Sequence, residues 1–250
     1  MKAITVCVEY DDLLAITLPR NAKYFSDIVV VTTLNDFRTQ RVVADVHNAR
    51  CFLTELFFYD GAKFNKGLAL EHGFDVLGRD GWICVFDPDT LFPSNMQLPE
   101  LQIGHLYSPK RRILSDPKSW REDLDWNTCE IYEEREYAGY FQLFHADDLI
   151  LRDKPWYGIR SPDASWCDSE FEYKWPDHLK HRTDFEVLHL GQPGMNWCRR
   201  ITPRLDGGEI DNLGNRIADY TERKRDGLRN NPAWQQYQEE RRRVQRMVNG

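Results

Sequence analysis

The sequence has no long apolar run. No stretch approaches the roughly 20 consecutive apolar residues that a membrane-spanning helix needs. The apolar run at the amino terminus stops at Glu9, which makes it too short for the hydrophobic segment of a secretory signal. These absences predict a cytoplasmic protein with no membrane span.

Closely spaced cysteines are also missing. Each of the six cysteines lies more than 30 residues from the next, so the chain has no CxxC pair for a zinc knuckle or a redox-active dithiol. An isolated cysteine in an intracellular protein is in most cases a small buried apolar residue. The sequence therefore gives no evidence of a cysteine-based metal or redox site.

An excess of positive charge is absent as well. The formal net charge is −7, which disfavours a protein that coats nucleic acid through bulk electrostatics. The charge is uneven, because residues 222–250 carry +4 and the rest of the chain carries −11. We expect residues 221–250 to form a basic helical tail, whose charged face is either solvated or in contact with a polyanion.

What is present is the composition of a folded domain. Apolar residues make up 41% and charged residues 29% of the 250 positions, as in globular proteins. Apolar runs alternate with helix-like stretches over residues 1–93, which predicts an α/β fold with a mostly parallel central sheet flanked by helices. The expected strands are 3–8, 27–33, 51–53 and 82–86, and the expected helices are 11–25, 36–49 and 65–77.

The second half of the chain has a weaker pattern. Residues 94–136 are rich in proline and charge, and we expect loops and short strands there. Two further strands are expected at 140–144 and 185–188, with a helix at 165–175 between them.

The segment WICVFDPDTLFP, residues 82–93, is the most informative stretch. Its apolar run ends in Asp87 and Asp89, with a proline between them. Proline cannot donate to a sheet ladder and pushes the preceding residue into extended geometry, so both carboxylates are expected on one side of an extended chain. Two such carboxylates repel each other unless a cation lies between them, and oxygen ligands with room for phosphate suit Mg²⁺ or Mn²⁺.

The spacing of these two aspartates carries little weight by itself. Asp123 and Asp125 repeat it in REDLDWN without an apolar strand before them, and we interpret that copy as a surface segment. For the first copy, the simpler alternative is a turn in which Asp89 caps a short helix. Its position after a strand favours a metal or phosphate site, because ligands of open α/β sheets collect at the carboxyl ends of strands.

The segment KFNKGLALEHG, residues 63–73, followed by WICVFDPDTLFP, resembles the glycosyltransferases of the GT-A fold, including the family-2-like and galactosyltransferase-like enzymes. The resemblance extends, more weakly, over residues 1–200. It implies a single GT-A-like (Rossmann-like) catalytic domain over 1–220, with a nucleotide-binding half at 1–93 and a smaller acceptor half at 94–220. It also implies metal-dependent transfer of a sugar from a nucleotide sugar, expected to be a UDP-sugar, to a hydroxyl acceptor.

Candidate catalytic and metal-binding residues follow from the same resemblance. Asp87 and Asp89 would hold Mn²⁺ or Mg²⁺ against the donor diphosphate, and His189 in FEVLHLG would be a third ligand. In SWCDSEFEYKW, Asp168 is the first and Glu170 the second candidate for the base that deprotonates the acceptor. A helix with solvated acids is the alternative for both.

Other residues are candidates for contacts with the two substrates. The ends of the first two strands and the start of the 65–77 helix are expected to bind the nucleotide sugar, and aromatic residues of the second half to bind the acceptor. The donor residues are Tyr10, Thr32, Thr33, Asp36, Lys63, Asn65 and Lys66, together with Asp87. The acceptor residues are Trp156, Tyr157 and Trp166.

The acceptor class stays open at this point. The amino-terminal segment CVEYDDLLAITLPRN loosely resembles phage-type glycosyltransferases that modify hydroxymethylated DNA bases, so such a base is one candidate, and phosphate contacts would then give the basic tail a role.

Two functions of other classes also remain. ICVFDPDTL resembles the nucleophile loop of haloacid dehalogenase-like phosphatases, in which Asp87 would attack phosphate. A module that binds a nucleotide sugar without catalysis is the other alternative.

Overall fold

The computed structural model describes residues 1–133, 136–161, 163–193, 196–198, 200 and 202–210. The helical tail expected at 221–250 lies outside the described residues. In the described part of the chain, nine strands form one sheet that is accompanied by four α-helices. The strands are β1 (Lys2–Val6), β2 (Asp27–Thr32), β3 (Ala49–Leu53), β4 (Trp82–Phe86), β5 (Thr90–Leu91), β6 (Leu106–Leu114), β7 (Glu130–Tyr132), β8 (Phe141–His145) and β9 (Lys180–Leu190). The helices are α1 (Asp11–Asn21), α2 (Phe37–Ala44), α3 (Lys66–Leu77) and α4 (Cys167–Glu172).

The sheet has two halves of different topology. Its strand order is β3-β2-β1-β4-β8-β6-β9-β5, and β7 pairs with β6. The first four strands run parallel, as expected for residues 1–93. Beyond β4 the ladders are antiparallel, except for the parallel pair β6 and β9. The expected α/β class with a central sheet and flanking helices is therefore confirmed, but the sheet as a whole is mixed rather than mostly parallel.

The physical reason for the mixed topology is the shortage of crossover helices after Pro93. A parallel pair needs a connection of a dozen or more residues, usually a helix, whereas antiparallel strands tolerate short connections. Only α4 is an α-helix among the described residues of the second half.

Strands β1, β2 and β4 of the parallel half are buried on both faces. Side chains of β1 and β2 alternate between two apolar cores, since successive residues of a strand point to opposite faces. Ile4 and Val29 pack in the core that contains Phe74 of α3, whereas Ala3 and Val30 pack in the core beside α1. Burial on both faces accounts for the continuous apolar runs from which these strands could be predicted.

Strand β6 is the main element that the sequence pattern does not predict. Residues 94–136 are expected to form loops and short strands, yet Leu106–Leu114 is a nine-residue strand in the middle of the second half. Its register with β9 shifts between Ser108 and Lys110, at Pro109. Proline has no amide proton to donate, so an interior strand tolerates it at such a bulge.

The remaining expected elements are present with shifted ends. The helix expected at 11–25 ends at Asn21 and continues as a short 3-10 turn, and the helix expected at 165–175 is confined to α4. None of the described helices is both long and apolar enough to cross a membrane.

Gly67 allows α3 to pack closely on the loop that contains Gly158. A Cβ atom at position 67 would lie 2.0 Å from the Gly158 carbonyl oxygen, whereas one at position 73 would lie 2.6 Å from methyl groups of Ile4 and Val31. Because backbone yields less easily than the ends of side chains, we expect Gly67→Ala to lower the free energy of unfolding by more than about 2 kcal/mol.

Gly73→Ala is the matched control for this prediction, since it lies in the same helix. We expect a smaller loss there, because side-chain methyl groups can move and alanine gains roughly 1 kcal/mol of helix propensity over glycine. Urea unfolding followed by circular dichroism measures both variants. Equal losses would contradict the close backbone approach at Gly67.

Candidate active site

A cavity of about 410 Å³ lies at the carboxyl ends of β1 and β4. Six of the residues that the sequence singled out line it, although they come from five separate segments of the chain. One follows β1, one begins α3, two follow β4, one is in α4 and one is in β9. They are Tyr10, Lys66, Asp87, Asp89, Asp168 and His189.

The two aspartates after β4 lie in a turn. The Thr90 amide donates to the Asp87 carbonyl oxygen over 3.0 Å, so the expectation of an extended Asp-Pro-Asp segment is wrong. The physical reason is that β5 begins at Thr90 and must reverse to pair with β9. Both aspartates nevertheless line the same cavity.

Helix α1 holds this turn in place. The Thr17 hydroxyl donates to the Pro88 carbonyl oxygen over 2.6 Å, and the Asn21 amide nitrogen donates to the Thr90 carbonyl oxygen over 2.8 Å. Asn21 also accepts from the Phe92 amide over 2.9 Å. Thr17 and Asn21 are both fully buried, so these bonds form away from competing water.

Antiparallel pairing brings His189 to Asp89. Thr90 lies opposite His189 in the β5–β9 ladder, and the Leu190 amide donates to the Asp89 carbonyl oxygen over 2.8 Å. His189 Nε2 lies 3.5 Å from Asp89 Oδ2. Its Nδ1 lies 3.0 Å from the Gly191 carbonyl oxygen, which can only accept, so Nδ1 carries the hydrogen.

This arrangement sets the His189 ring against the Asp89 carboxylate. In the neutral form of the ring, with its hydrogen on Nδ1, Nε2 presents a lone pair towards the carboxylate, whereas the protonated ring forms an ion pair with it. Asp89 Oδ1 is buried and has no hydrogen-bond partner in the structure, and burial raises the pKa of Asp89. A bound cation would explain all three observations. A histidine that ligates a metal commonly donates a hydrogen bond from its other ring nitrogen to a carbonyl in this way.

The donor set fits Mn²⁺ or Mg²⁺ in part. A carboxylate oxygen and an imidazole nitrogen are suitable first-row metal ligands. Among the described residues, however, no three His, Cys, Asp or Glu side chains are already arranged around a common point. The protein would thus supply few ligands and leave positions for substrate oxygens, as magnesium-type sites at phosphates do.

Lys66 connects the metal side of the cavity to α4. Its Nζ lies 2.7 Å from Asp87 Oδ1 and 3.0 Å from Asp168 Oδ2. Burial lowers the pKa of Lys66, but the two carboxylates outweigh burial and raise it, so the side chain stays an ammonium. Gly139 makes room for this contact, since a Cβ there would lie 2.2 Å from Asp168 Oδ2 and 2.5 Å from Lys66 Nζ.

Asp168 and Glu170 differ in their surroundings. Asp168 lines the cavity with 15% of its side chain exposed. Burial raises its pKa, and the Lys66 ammonium opposes that effect. Glu170 is exposed, and its carboxylate lies against Gly158, where a Cβ atom would be 1.5 Å from Glu170 Oε2. Of the two acids, only Asp168 is among the described residues that line the cavity.

Three of the expected donor residues are buried outside the cavity lining that the structure describes. Asp36 caps α2 by accepting from the Thr39 amide over 3.1 Å, and it also accepts from the Glu9 amide over 2.9 Å. Thr32 and Thr33 are fully buried. None of the three is among the described residues that line the cavity. Asp36 instead ties the end of β1 to the start of α2.

Lys63 and Asn65 also lie outside the cavity lining that the structure describes. Asn65 caps α3 by accepting from the Leu68 amide over 2.9 Å, and it donates to the Ile159 carbonyl oxygen over 2.8 Å. Lys63 is exposed. Of the three residues expected at the start of this helix, Lys66 alone lines the cavity.

The expected acceptor aromatics are divided between core and surface. Trp156 and Tyr157 are 3% and 1% exposed and belong to the core around Phe74. Trp166 is 51% exposed. Only Trp166 therefore keeps a ring surface that a ligand can reach.

Other residues of the cavity were missed by sequence reasoning. Trp197 and Arg200 line it from a segment near residue 200, and Arg111 lines it from β6. Arg200 donates to the Glu9 carbonyl oxygen over 2.8 Å, and its guanidinium lies 4.9 Å from the ring centroid of Tyr10. No local pattern marks these residues, because their partners are far away in sequence and β6 itself was not predicted.

Asp12 anchors this segment to α1 through Arg200. The bidentate pair has N–O distances of 2.5 and 2.9 Å, and the two side chains are 6% and 1% exposed. Burial raises the pKa of Asp12, but the hydrogen bonds from Arg200 and from the Leu205 amide, together with the charges of Arg200 and Arg204, outweigh it and hold the pKa below its ordinary 3.8.

We expect Asp12→Asn to lower the free energy of unfolding at pH 7 by about 3 kcal/mol, because a buried guanidinium loses its counter-ion. A depressed native pKa stabilises the protein above the unfolded-state pKa and ceases to do so as pH falls through the native value. The difference between wild type and variant should therefore shrink below about pH 4. Urea unfolding at several pH values measures it.

Asp80→Asn is the control for this prediction, since the Asp80 carboxylate pairs with Lys2 at the surface and is 74% exposed. That variant should differ from wild type by less than about 0.5 kcal/mol. A loss in Asp12→Asn that does not change with pH would contradict the role given to the ion pair.

Comparisons with known proteins give distant structural likenesses. No protein-family model and no curated protein sequence matches the chain. Among solved structures, the inositol-1-phosphate CTP transferase of T. maritima matches with a TM-score of 0.47 and 10% identity over 88% of this chain and 96% of that one. A 4-diphosphocytidyl-2C-methyl-D-erythritol synthase of Anaerococcus prevotii matches with a TM-score of 0.43 and 12% identity, over 88% of this chain and 95% of that one. A mannosyl-3-phosphoglycerate synthase of Rubrobacter xylanophilus matches with a TM-score of 0.32 and 19% identity, over 48% of this chain and 42% of that one. These likenesses are too distant to assign the chain to a family.

Proposed function

We propose that the protein is a metal-dependent glycosyltransferase of the GT-A type. It would transfer a sugar from a nucleotide sugar, in our proposal a UDP-sugar, to a hydroxyl group of an acceptor. The cofactor would be Mn²⁺ or Mg²⁺. The proposal combines the resemblance in residues 63–93 with the chemistry of the cavity.

One observation carries the proposal furthest. Asp89 Oδ1 is buried without a hydrogen-bond partner, and His189 presents Nε2 to the same carboxylate while its Nδ1 is held by the Gly191 carbonyl. A buried acceptor with no donor is costly, in the range of about 1–3 kcal/mol. A site that accepts such a cost is better explained by a ligand than by stability.

Asp89 and His189 would hold the metal, together with Asp87. When bound, the metal supplies positive charge against the donor diphosphate. Lys66 already neutralises Asp87 in the structure described here, and its ammonium is within the cavity to interact with a phosphate oxygen once Asp87 turns to the metal. Tyr10, with the Arg200 guanidinium over its ring, would flank the nucleoside.

Asp168 would act on the acceptor if the reaction inverts the sugar. A raised pKa makes a carboxylate a better proton acceptor, and burial raises that of Asp168. Lys66 holds one of its oxygens and the Cys167 thiol lies 3.6 Å from the other. These contacts orient the carboxylate within the cavity.

The alternatives predict different products. In a phosphatase, Asp87 would attack phosphorus and the enzyme would release inorganic phosphate from a phosphoester. A binding module would need no base, which leaves the buried Asp168 without a role. A hydroxymethylated DNA base remains a candidate acceptor, and the basic tail expected to contact DNA lies outside the described residues.

Asp89→Asn tests the metal site. Incubated with Mn²⁺ and a panel of nucleotide sugars, the wild type is expected to hydrolyse or transfer at least one sugar. We expect the variant to lose at least about 100-fold in rate, because the amide is a weaker ligand than the carboxylate. Nucleotide release measures the rate, and calorimetry with Mn²⁺ measures the affinity, which should fall in parallel.

Asp123→Asn is the matched control, since it makes the same change in the second Asp-x-Asp pattern, where the side chain is 86% exposed. That variant should behave as wild type. Release of inorganic phosphate from a phosphoester by the wild type, with no turnover of any nucleotide sugar, would replace our proposal with the phosphatase. Tight nucleotide-sugar binding without turnover would favour the binding module.

Asp168→Asn and Glu170→Gln together test which acid is the base. We expect the first to lower the rate of transfer by about 10²–10⁴-fold, the range for a general base, and the second to lower it less. The reason is that Asp168 alone of the two lines the cavity. Rates are compared at saturating donor, and the opposite order would assign the role to Glu170.

A further inference from the structure

Exposed aromatic rings collect at the mouth of the cavity. Among the described residues, four aromatic side chains are largely exposed: Phe37 at 62%, Trp166 at 51%, Tyr173 at 63% and Trp197 at 41%. Trp197 lines the cavity itself, and Trp166 directly follows Ser165, which also lines it. Tyr173 in turn lies beside Trp166. Three of the four exposed rings are therefore at or near the cavity, although rings of this size are mostly buried in folded proteins.

Trp166 and Tyr173 form a pair that brackets α4. Their ring centroids lie 6.3 Å apart with an interplanar angle of 66°. Between them, Asp168 and Ser169 of the helix line the cavity. The exposed pair thus flanks the helix that carries the proposed base into the cavity, where an acceptor rather than a donor diphosphate belongs.

Trp197 lies on the segment near residue 200. The Ala164 amide donates to the Trp197 carbonyl oxygen over 3.0 Å, which ties that segment to the chain just before α4. The two exposed tryptophans therefore belong to adjoining chain segments, both of which contribute residues to the cavity lining.

The charged side chains around the pair carry no positive excess. Lys180 Nζ lies 5.7 Å from the Tyr173 ring centroid, but it also lies 3.4 Å from an Asp177 carboxylate oxygen, and Glu172 shares the same surroundings. Arg182 pairs with Glu136 over 3.1 Å. A nucleic acid requires a net positive surface, whereas an uncharged ligand with an apolar face does not.

We infer that Trp166 and Tyr173 form a second acceptor subsite for a neutral sugar ring, and that the acceptor is an extended neutral glycan. A pyranose has an apolar face that stacks on aromatic rings, and its hydroxyl groups can bond to the serines and carboxylates of α4. The ring bound there would lie beyond the sugar whose hydroxyl faces Asp168, and Trp197 lines the same cavity. This inference rests on the proposed function and names its acceptor class.

The experiment compares acceptors of different length. With a donor that the wild type turns over, KM is measured for p-nitrophenyl monosaccharides and for the corresponding neutral trisaccharides. We expect the wild type to show a KM roughly tenfold lower for the trisaccharide, about the effect of one or two stacking contacts. A variant with both Trp166→Ala and Tyr173→Ala should lose this advantage.

Two control variants separate the subsite from general effects. Trp166→Phe combined with Tyr173→Phe retains both rings and should keep most of the advantage for the trisaccharide. Phe37→Ala removes an equally exposed aromatic ring at the start of α2, outside the described cavity lining, and should keep all of it.

The inference is overturned if the wild-type KM does not depend on glycan length, or if the dependence survives in the double alanine variant. Transfer to hydroxymethylated DNA with none to neutral glycans would also overturn it. Failure of the wild type to turn over any nucleotide sugar would instead count against the proposed function. In that case, trisaccharide binding is followed directly by tryptophan fluorescence: binding that the double alanine variant loses supports the subsite, and no binding by the wild type rejects it.

Discussion

A buried ammonium group is the interaction on which the candidate site depends. Asp87, Asp89 and Asp168 converge on one cavity, and like charges so close together repel each other. Lys66 places its ammonium between Asp87 and Asp168, within 3.0 Å of each. Its positive charge offsets the repulsion between these two carboxylates, to which the proposed function assigns the roles of metal ligand and base.

That requirement governs the packing around the start of α3. Lys66 reaches both carboxylates only if the helix begins close to α4 and to the loop at Gly139. Gly67 permits close packing on the loop at Gly158 and on Cys167 of α4, and Gly139 leaves room for Lys66 to reach Asp168, since a Cβ atom at either position would overlap its neighbours. The two glycines thus matter because they lack a side chain, and not because they make the backbone flexible.

The two ends of the cavity are held by different parts of the fold. The Asp87–Asp89 turn is fixed by buried polar side chains of α1 and by the short ladder between β5 and β9. Asp168 is fixed by α4 and Lys66. A donor bound at one end and an acceptor at the other would meet between elements that are separately anchored, which preserves the geometry needed for transfer.

The sequence by itself determined the parallel half of the sheet and the position of the acidic turn, because apolar periodicity and a strand end are local properties. It also indicated Lys66, Asp168 and His189. The tertiary structure alone decided which aromatic residues stay exposed. It also decided that β6 is an interior strand of the sheet despite Pro109, and that Arg200 forms an ion pair with Asp12 of α1. Burial and pairing between residues nearly 190 positions apart depend on how distant segments meet, and no local pattern of residue types encodes that.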